Sequence, residues 1–301
     1  MTTGTAGVRP AWVSDELFPF QSRFVDVDGN SIHYVDEGVG PVLLMLHGNP
    51  TWSFLYRDLV AGLRDRSRCI ALDYPGFGLS HPRPGYGFGA AEHSSVVEAF
   101  VAHLDLSEVT LMVHDWGGPI GLGAAGRAPE RYRALVIANT WAWPVSGNRR
   151  HQWFSTVMGG PVGRFLIGEA NAFVNVLVPG GHRRRRLTAA ERAHYRGPFT
   201  EKEAREPMAV LPREIVAASG FLSQVEANLA RLADRPTLIT WADRDRAFRQ
   251  DEKRRFESLF PHHTTVDLRA AGHFVPDDAG DQLVLVIRSW WEELADEGAG
   301  S

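Results

Sequence analysis

Between Val109 and Ala125 an apolar run leads through His114 into Asp115-Trp116-Gly117-Gly118, and then into a stretch dominated by Gly and Ala. An apolar run without alternation reads as a strand buried on both faces. The residues after His114 read as a tight turn and a helix of small residues. A strand, a turn and a helix in immediate succession commit the chain to an α/β architecture with a mostly parallel sheet.

The rest of the sequence repeats that unit. Val42 to Leu46, Arg68 to Leu72 and Arg133 to Ala138 carry the same buried-strand signature, and Tyr56 to Leu63 and Ala90 to Leu104 are helical in pattern. Ahead of them, Phe24 to Asp28 and Ile32 to Asp36 are β-prone and meet at Asp28-Gly29-Asn30, a hairpin turn. The rhythm stops after Pro144. From there to about Leu229 the chain is helix-prone, with no buried strand. Strands return at Pro236 to Trp241 and Thr264 to Leu268, and an amphipathic helix covers Gln282 to Leu294. The expected organisation is a core of residues 1–143 and 230–301 with a helical cap, 144–229, inserted in it. Residues 296–301 read as a frayed tail.

At 301 residues the chain can bury a sizeable core. With 44 % hydrophobic and 23 % charged residues it has no composition for disorder. A net charge of −4 gives no overall attraction to nucleic acid. The single Cys69 sits in an apolar run and reads as a buried, inert thiol. Met1 to Val8 lacks the pattern of a signal peptide, and no apolar run is long enough to span a bilayer, so the cytoplasm is the expected location and no membrane partner is expected.

The turn after Val109–His114 is a nucleophile elbow in form. It aims one side chain out at the end of the sheet and places a helix start beside it. That side chain is Asp115, which excludes serine acyl transfer here. A carboxylate nucleophile attacks carbon to form an ester, which water then cleaves. An ordinary helix-capping Asp is the plain alternative. His273, in Ala270-Ala271-Gly272-His273-Phe274 just after the last strand, stands where the base comes after the nucleophile and acid in chain order. Asp243 and Asp245 both follow the preceding strand as candidate acids. Asp245 is favoured because Ala242 fills the Gly place of a Gly-x-x-Asp loop, which leaves Asp243 and Arg244 as a solvated pair. Asp245 would then hold the His273 tautomer.

The loop Leu46-His47-Gly48-Asn49-Pro50-Thr51-Trp52 comes after the third strand. Asn49 offers an amide donor, and Trp116 an indole N–H beside the nucleophile. Two neutral donors suit a leaving halide, and the backbone N–H groups of Asn49 and Trp116 suit an oxyanion. With His47-Gly48-Asn49-Pro50-Thr51-Trp52-Ser53, Asp73-Tyr74-Pro75-Gly76-Phe77-Gly78, His114-Asp115-Trp116-Gly117-Gly118, Tyr195-Arg196-Gly197-Pro198-Phe199 and Gly272-His273-Phe274, the chain resembles haloalkane dehalogenases of the α/β-hydrolase fold from about Phe18 to the terminal helix.

The resemblance implies an eight-stranded sheet, displacement of halide by Asp115, a halide held by Asn49 and Trp116, hydrolysis of the alkyl-enzyme ester through His273, and no metal or organic cofactor. It implies a small apolar halogenated substrate and a tendency to self-associate into homo-oligomers. No Glu stands in Ala138-Asn139-Thr140-Trp141-Ala142-Trp143-Pro144 after the sixth strand, so the subgroup with Asp-His-Asp and an Asn–Trp halide pair fits.

Epoxide hydrolases share the Asp-Trp-Gly elbow but use two cap tyrosines, and the insert holds only Tyr195. A non-catalytic hydrolase-fold receptor can keep the same residues. The basic run His182-Arg183-Arg184-Arg185-Arg186 reads as a solvated face, and His262-His263 has no companion ligands for a metal. Some of Trp52, Trp141, Trp143, Trp153, Phe154, Phe165 and Phe173 are expected to line an apolar pocket, the others to be core.

Overall fold

The computed structural model describes residues 9–299. Eight strands form one sheet: β1 (Arg23–Val27), β2 (Asn30–Glu37), β3 (Val42–Leu46), β4 (Arg68–Leu72), β5 (Val109–Asp115), β6 (Tyr132–Thr140), β7 (Thr237–Ala242) and β8 (His263–Leu268). Their order in space is β1-β2-β4-β3-β5-β6-β7-β8. β1 and β2 are the expected hairpin. Its turn residues Asp28 and Gly29 have φ of 52° and 79°, the left-handed pair that matches the twist of the flanking strands. β2 joins β4 antiparallel, and every later pairing is parallel. Every residue of β5 is buried, which is why its sequence shows no polar alternation.

Helix α1 (Arg57–Leu63) packs against the C-terminal helix Gly280–Ala299, and α2 (Ala90–His103) against α3 (Gly117–Arg127). The C-terminal helix buries Leu283, Ile287 and Trp290, one stripe at helical spacing. It continues to Ala299, so the frayed end expected from residue 296 is helix for that stretch, carried on through Gly298 as the end of a long helix. Residues 300–301 and the leader reading of Met1 to Val8 lie outside the described residues.

Between β6 and β7 the described chain is helical. It includes α4 (Arg149–Gly159), α5 (Pro161–Ala170) and the helices Ala189–Arg196, Glu206–Ala217 and Ser219–Asn228. This segment is pinned to the rest by a buried ion network. Arg57 on α1 donates to Glu191 and to Asp277, each at 2.8 Å, and Arg185 donates to the same two carboxylates. The Tyr195 hydroxyl donates to Asp277 Oδ2 at 2.5 Å, and His182 Nε2 lies 3.3 Å from the same oxygen. The basic run is therefore only in part the solvated face expected: Arg183, Arg184 and Arg186 are exposed, while His182 and Arg185 turn inward. A buried carboxylate such as Asp277 requires compensating donors. Burial alone would raise its pKa, but His182 and Arg57 hold it well below the usual carboxylate range.

Arg57→Leu is expected to destabilise the fold by about 3–5 kcal/mol in denaturant titration, because it strips a central cation from two buried carboxylates. A change under about 1 kcal/mol would show the network to be energetically idle. Among the described residues, no helix is long and apolar enough to cross a membrane.

Candidate active site

Asp115 closes β5 with φ of 51°, a left-handed value uncommon outside glycine. The turn is enforced by its surroundings. Thr140 Oγ1 donates to the Asp115 carbonyl at 2.5 Å, and the backbone N–H of Asn49 donates to Asp115 Oδ1 at 2.8 Å. Gly48 and Gly117 permit this closeness: a Cβ on Gly48 would overlap the Asp115 carboxylate, and one on Gly117 would meet the Leu46 carbonyl. The carboxylate faces a cavity of about 470 Å³.

Asn49, Asp115, Trp116, Asp245 and His273 all line that cavity. His273 Nδ1 lies 3.0 Å from Asp245 Oδ2, and its Nε2 lies 3.6 Å from Asp115 Oδ2. The first distance is a hydrogen bond; the second is too long for one. Burial would lower the imidazole pKa, but the Asp245 and Asp115 carboxylates outweigh burial and push it up to about 10. Asp245 is also buried, and its pKa is nevertheless held down, chiefly by His273. Of the two candidate acids the geometry sets Asp245 beside His273. Asp243 and the adjacent Arg244 are both exposed, as expected of a solvated pair, though no ion pair joins them among the described residues.

Three positioning residues escape a reading of the sequence. Asn139, at the end of β6 with φ of 35°, donates from Nδ2 to Asp245 Oδ2 at 2.8 Å and accepts the Ala242 N–H at 2.8 Å. The one signal it carries in the sequence is an Asn at a strand end, a residue tolerant of left-handed φ. His114 Nε2 lies 2.8 Å from the His273 carbonyl oxygen. Burial first, and then His273, lower the His114 pKa to about 4, so the ring is neutral and Nε2–H can donate. Asp278 accepts the backbone N–H groups of Gly272, Arg183, Arg184 and Arg185, and the His273 N–H donates to the Gly181 carbonyl at 2.8 Å. The His273 loop is thus tied directly to the helical segment.

The two expected leaving-group donors differ in their surroundings. Asn49 Nδ2 donates to the Met208 carbonyl at 3.1 Å, which uses one of its two hydrogens and fixes the amide. The Trp116 indole N–H has no protein acceptor among the described residues. Of the aromatic group, Trp141, Phe154 and Phe173 line the cavity. Trp52 is core, its indole donating to the His194 carbonyl at 3.0 Å, and Trp143 packs on Phe256. Trp153 and Phe165 are exposed. No tyrosine lines the cavity among the described residues; the Tyr195 hydroxyl is spent on Asp277.

Residues 41–279 match the family model described as the alpha/beta hydrolase fold. Haloalkane dehalogenase 2 of Mycobacterium tuberculosis is 43 % identical over 274 residues, 90 % of this chain and 95 % of that protein. A cis-3-alkyl-4-alkyloxetan-2-one decarboxylase of Shewanella oneidensis is 33 % identical, with 93 % of this chain and 91 % of that protein covered. The crystal structure of a putative ancestral haloalkane dehalogenase superposes with a TM-score of 0.83 at 27 % identity, covering 91 % of this chain and 99 % of that one.

Proposed function

This chain belongs to the haloalkane dehalogenases of the alpha/beta hydrolase fold, enzymes that cleave carbon–halogen bonds by hydrolysis, and we propose that it does so through a covalent alkyl ester on Asp115. The observation that carries the assignment is the pairing of a cavity-facing carboxylate with His273 Nε2, 3.6 Å from Asp115 Oδ2 and backed by Asp245. Asp115 Oδ2 attacks the carbon bearing the halogen, and the halide leaves with the bonding pair. The Trp116 N–H and the second Asn49 Nδ2 hydrogen receive it. Water, deprotonated by His273, then adds to the ester carbonyl carbon, and the Asn49 backbone N–H stabilises the oxyanion. Collapse frees the alcohol and restores Asp115. Residues 144–229 act as the cap that closes the cavity.

The charge on His273 tracks this cycle. Esterification removes the Asp115 charge, one of the influences that raise the imidazole pKa beside the larger one of Asp245, so the ring holds its proton less tightly when a base is needed. In the free enzyme both carboxylates favour the charged imidazole, whose pKa is pushed up to about 10. NMR titration should place the His273 midpoint near that value, and clearly lower in Asp115→Asn. An unchanged midpoint in the variant would break this coupling.

The test of the reaction is bromide release with acidification from 1-bromobutane and 1,2-dibromoethane. No release from a broad bromide and iodide panel would overturn it.

A second reading rests on the 33 % identity to an oxetan-2-one decarboxylase. A strained four-membered lactone, like an alkyl halide, offers a carbon that a carboxylate can attack. Carbon dioxide evolved from a cis-3-alkyl-4-alkyloxetan-2-one, with no halide released from the panel, would favour that reading.

A further inference from the structure

A second, more open recess adjoins the cavity and shares Arg183, Arg244, Asp245, Arg246 and Phe248 with its lining. Arg249 and Asp243 complete its charged residues. The four arginines are exposed, and none forms an ion pair among the described residues. Elsewhere some arginines are paired, as Arg68 with Asp36, Arg127 with Glu98 and Arg288 with Asp65, and others stand alone, so what marks the recess is the gathering of four unpaired arginines in one lining. Asp245 cannot neutralise the recess, because its carboxylate already accepts from Asn139, the Ala247 N–H and His273. Asp243 is then the one remaining carboxylate of the lining, in a chain whose net charge is −4.

A separate observation lies inside the cavity. Arg150 donates through Nη2 to Glu252 at 3.1 Å, but its Nη1 is buried with no acceptor among the described residues. Gathering like charges is unfavourable, and a neutral haloalkane gives guanidinium groups nothing to bind. A carboxylate does, through paired charge-assisted hydrogen bonds.

We propose that the arginine recess receives an anionic group at the end of the substrate remote from the halogen, so that the preferred class is a haloalkane with an apolar chain and a terminal carboxylate or comparable anion. The proposal rests on the dehalogenase reading for which end of the substrate reacts. The apolar cavity wall holds the chain, and the recess holds the charge. A leaving halide is an anion too, and the same arginines could serve its exit. The two roles differ in whether a neutral substrate feels the loss of the arginines.

The experiment compares 6-bromohexanoate with 1-bromohexane in the wild type and in Arg183→Gln/Arg246→Gln, together with calorimetric binding of hexanoate. The ratio of kcat/KM, acid over neutral, is expected to fall about tenfold or more in the double variant, mainly through KM. Added salt should lower the ratio in the wild type and leave the variant's nearly flat. Hexanoate should bind the wild type more tightly than the variant. An unchanged ratio, or equal loss on both substrates, overturns the proposal; equal loss assigns the arginines to halide exit or to structure. If neither bromide is turned over but hexanoate binding still depends on the arginines, the dehalogenase reading falls and the anion site stands.

Discussion

Asp115→Asn ends turnover while leaving the fold and the cavity intact. Asn is among the few residues that accept left-handed φ readily, so the elbow at 51° keeps its backbone. Its amide oxygen can still accept the Asn49 N–H that now meets Asp115 Oδ1. The loss is in nucleophilicity: a neutral amide does not displace halide from carbon. Losing a covalent nucleophile costs on the order of 10⁶ in kcat in hydrolases where it has been measured. Halide release should drop toward background, with an unchanged melting temperature and circular dichroism. Release within about tenfold of wild type would remove Asp115 from the reaction, and a collapsed melting temperature would make its role structural.

The sequence disclosed the fold because the fold's main constraints are local. A strand buried on both faces must be apolar throughout, as β5 is, and a left-handed turn leaves Asp28-Gly29 as its mark. Asp115 was legible for the same reason: the crowded elbow demands glycine at 117, two residues after the nucleophile, and at 48, next to Asn49. The hidden part of the site depends on contacts distant in sequence. Asn139 reaches Asp245 across 106 positions, and His114 reaches the His273 carbonyl across 159. Neither leaves a pattern in its own neighbourhood.

The basic run shows the converse. Five adjacent cationic or titratable side chains read as one solvated face, yet Asp277, 92 positions from Arg185, draws Arg185 and His182 inside. The same long-range folding brings Arg183 beside Arg244 and Arg246, so a charge cluster scattered along the sequence becomes one surface. The scarcity of tyrosine in the insert is visible in the chain, but only the bond to Asp277 shows where the Tyr195 hydroxyl is engaged.

His273→Gln separates the two chemical steps. Alkylation of Asp115 needs no base, so it should proceed; hydrolysis of the ester does, and a positioned general base contributes roughly 10²–10⁴ in rate. Gln keeps a polar side chain beside Asp245 but cannot take a proton from water. Halide should appear as a burst of one equivalent per protein and then nearly stop. The most direct measurement is therefore the intact mass of His273→Gln after exposure to 1-bromobutane, with peptide mapping of the product. The expected result is a gain of one butyl group, located on Asp115. Stoichiometric halide release with no added mass, or with the butyl group on another residue, would contradict the ester on Asp115.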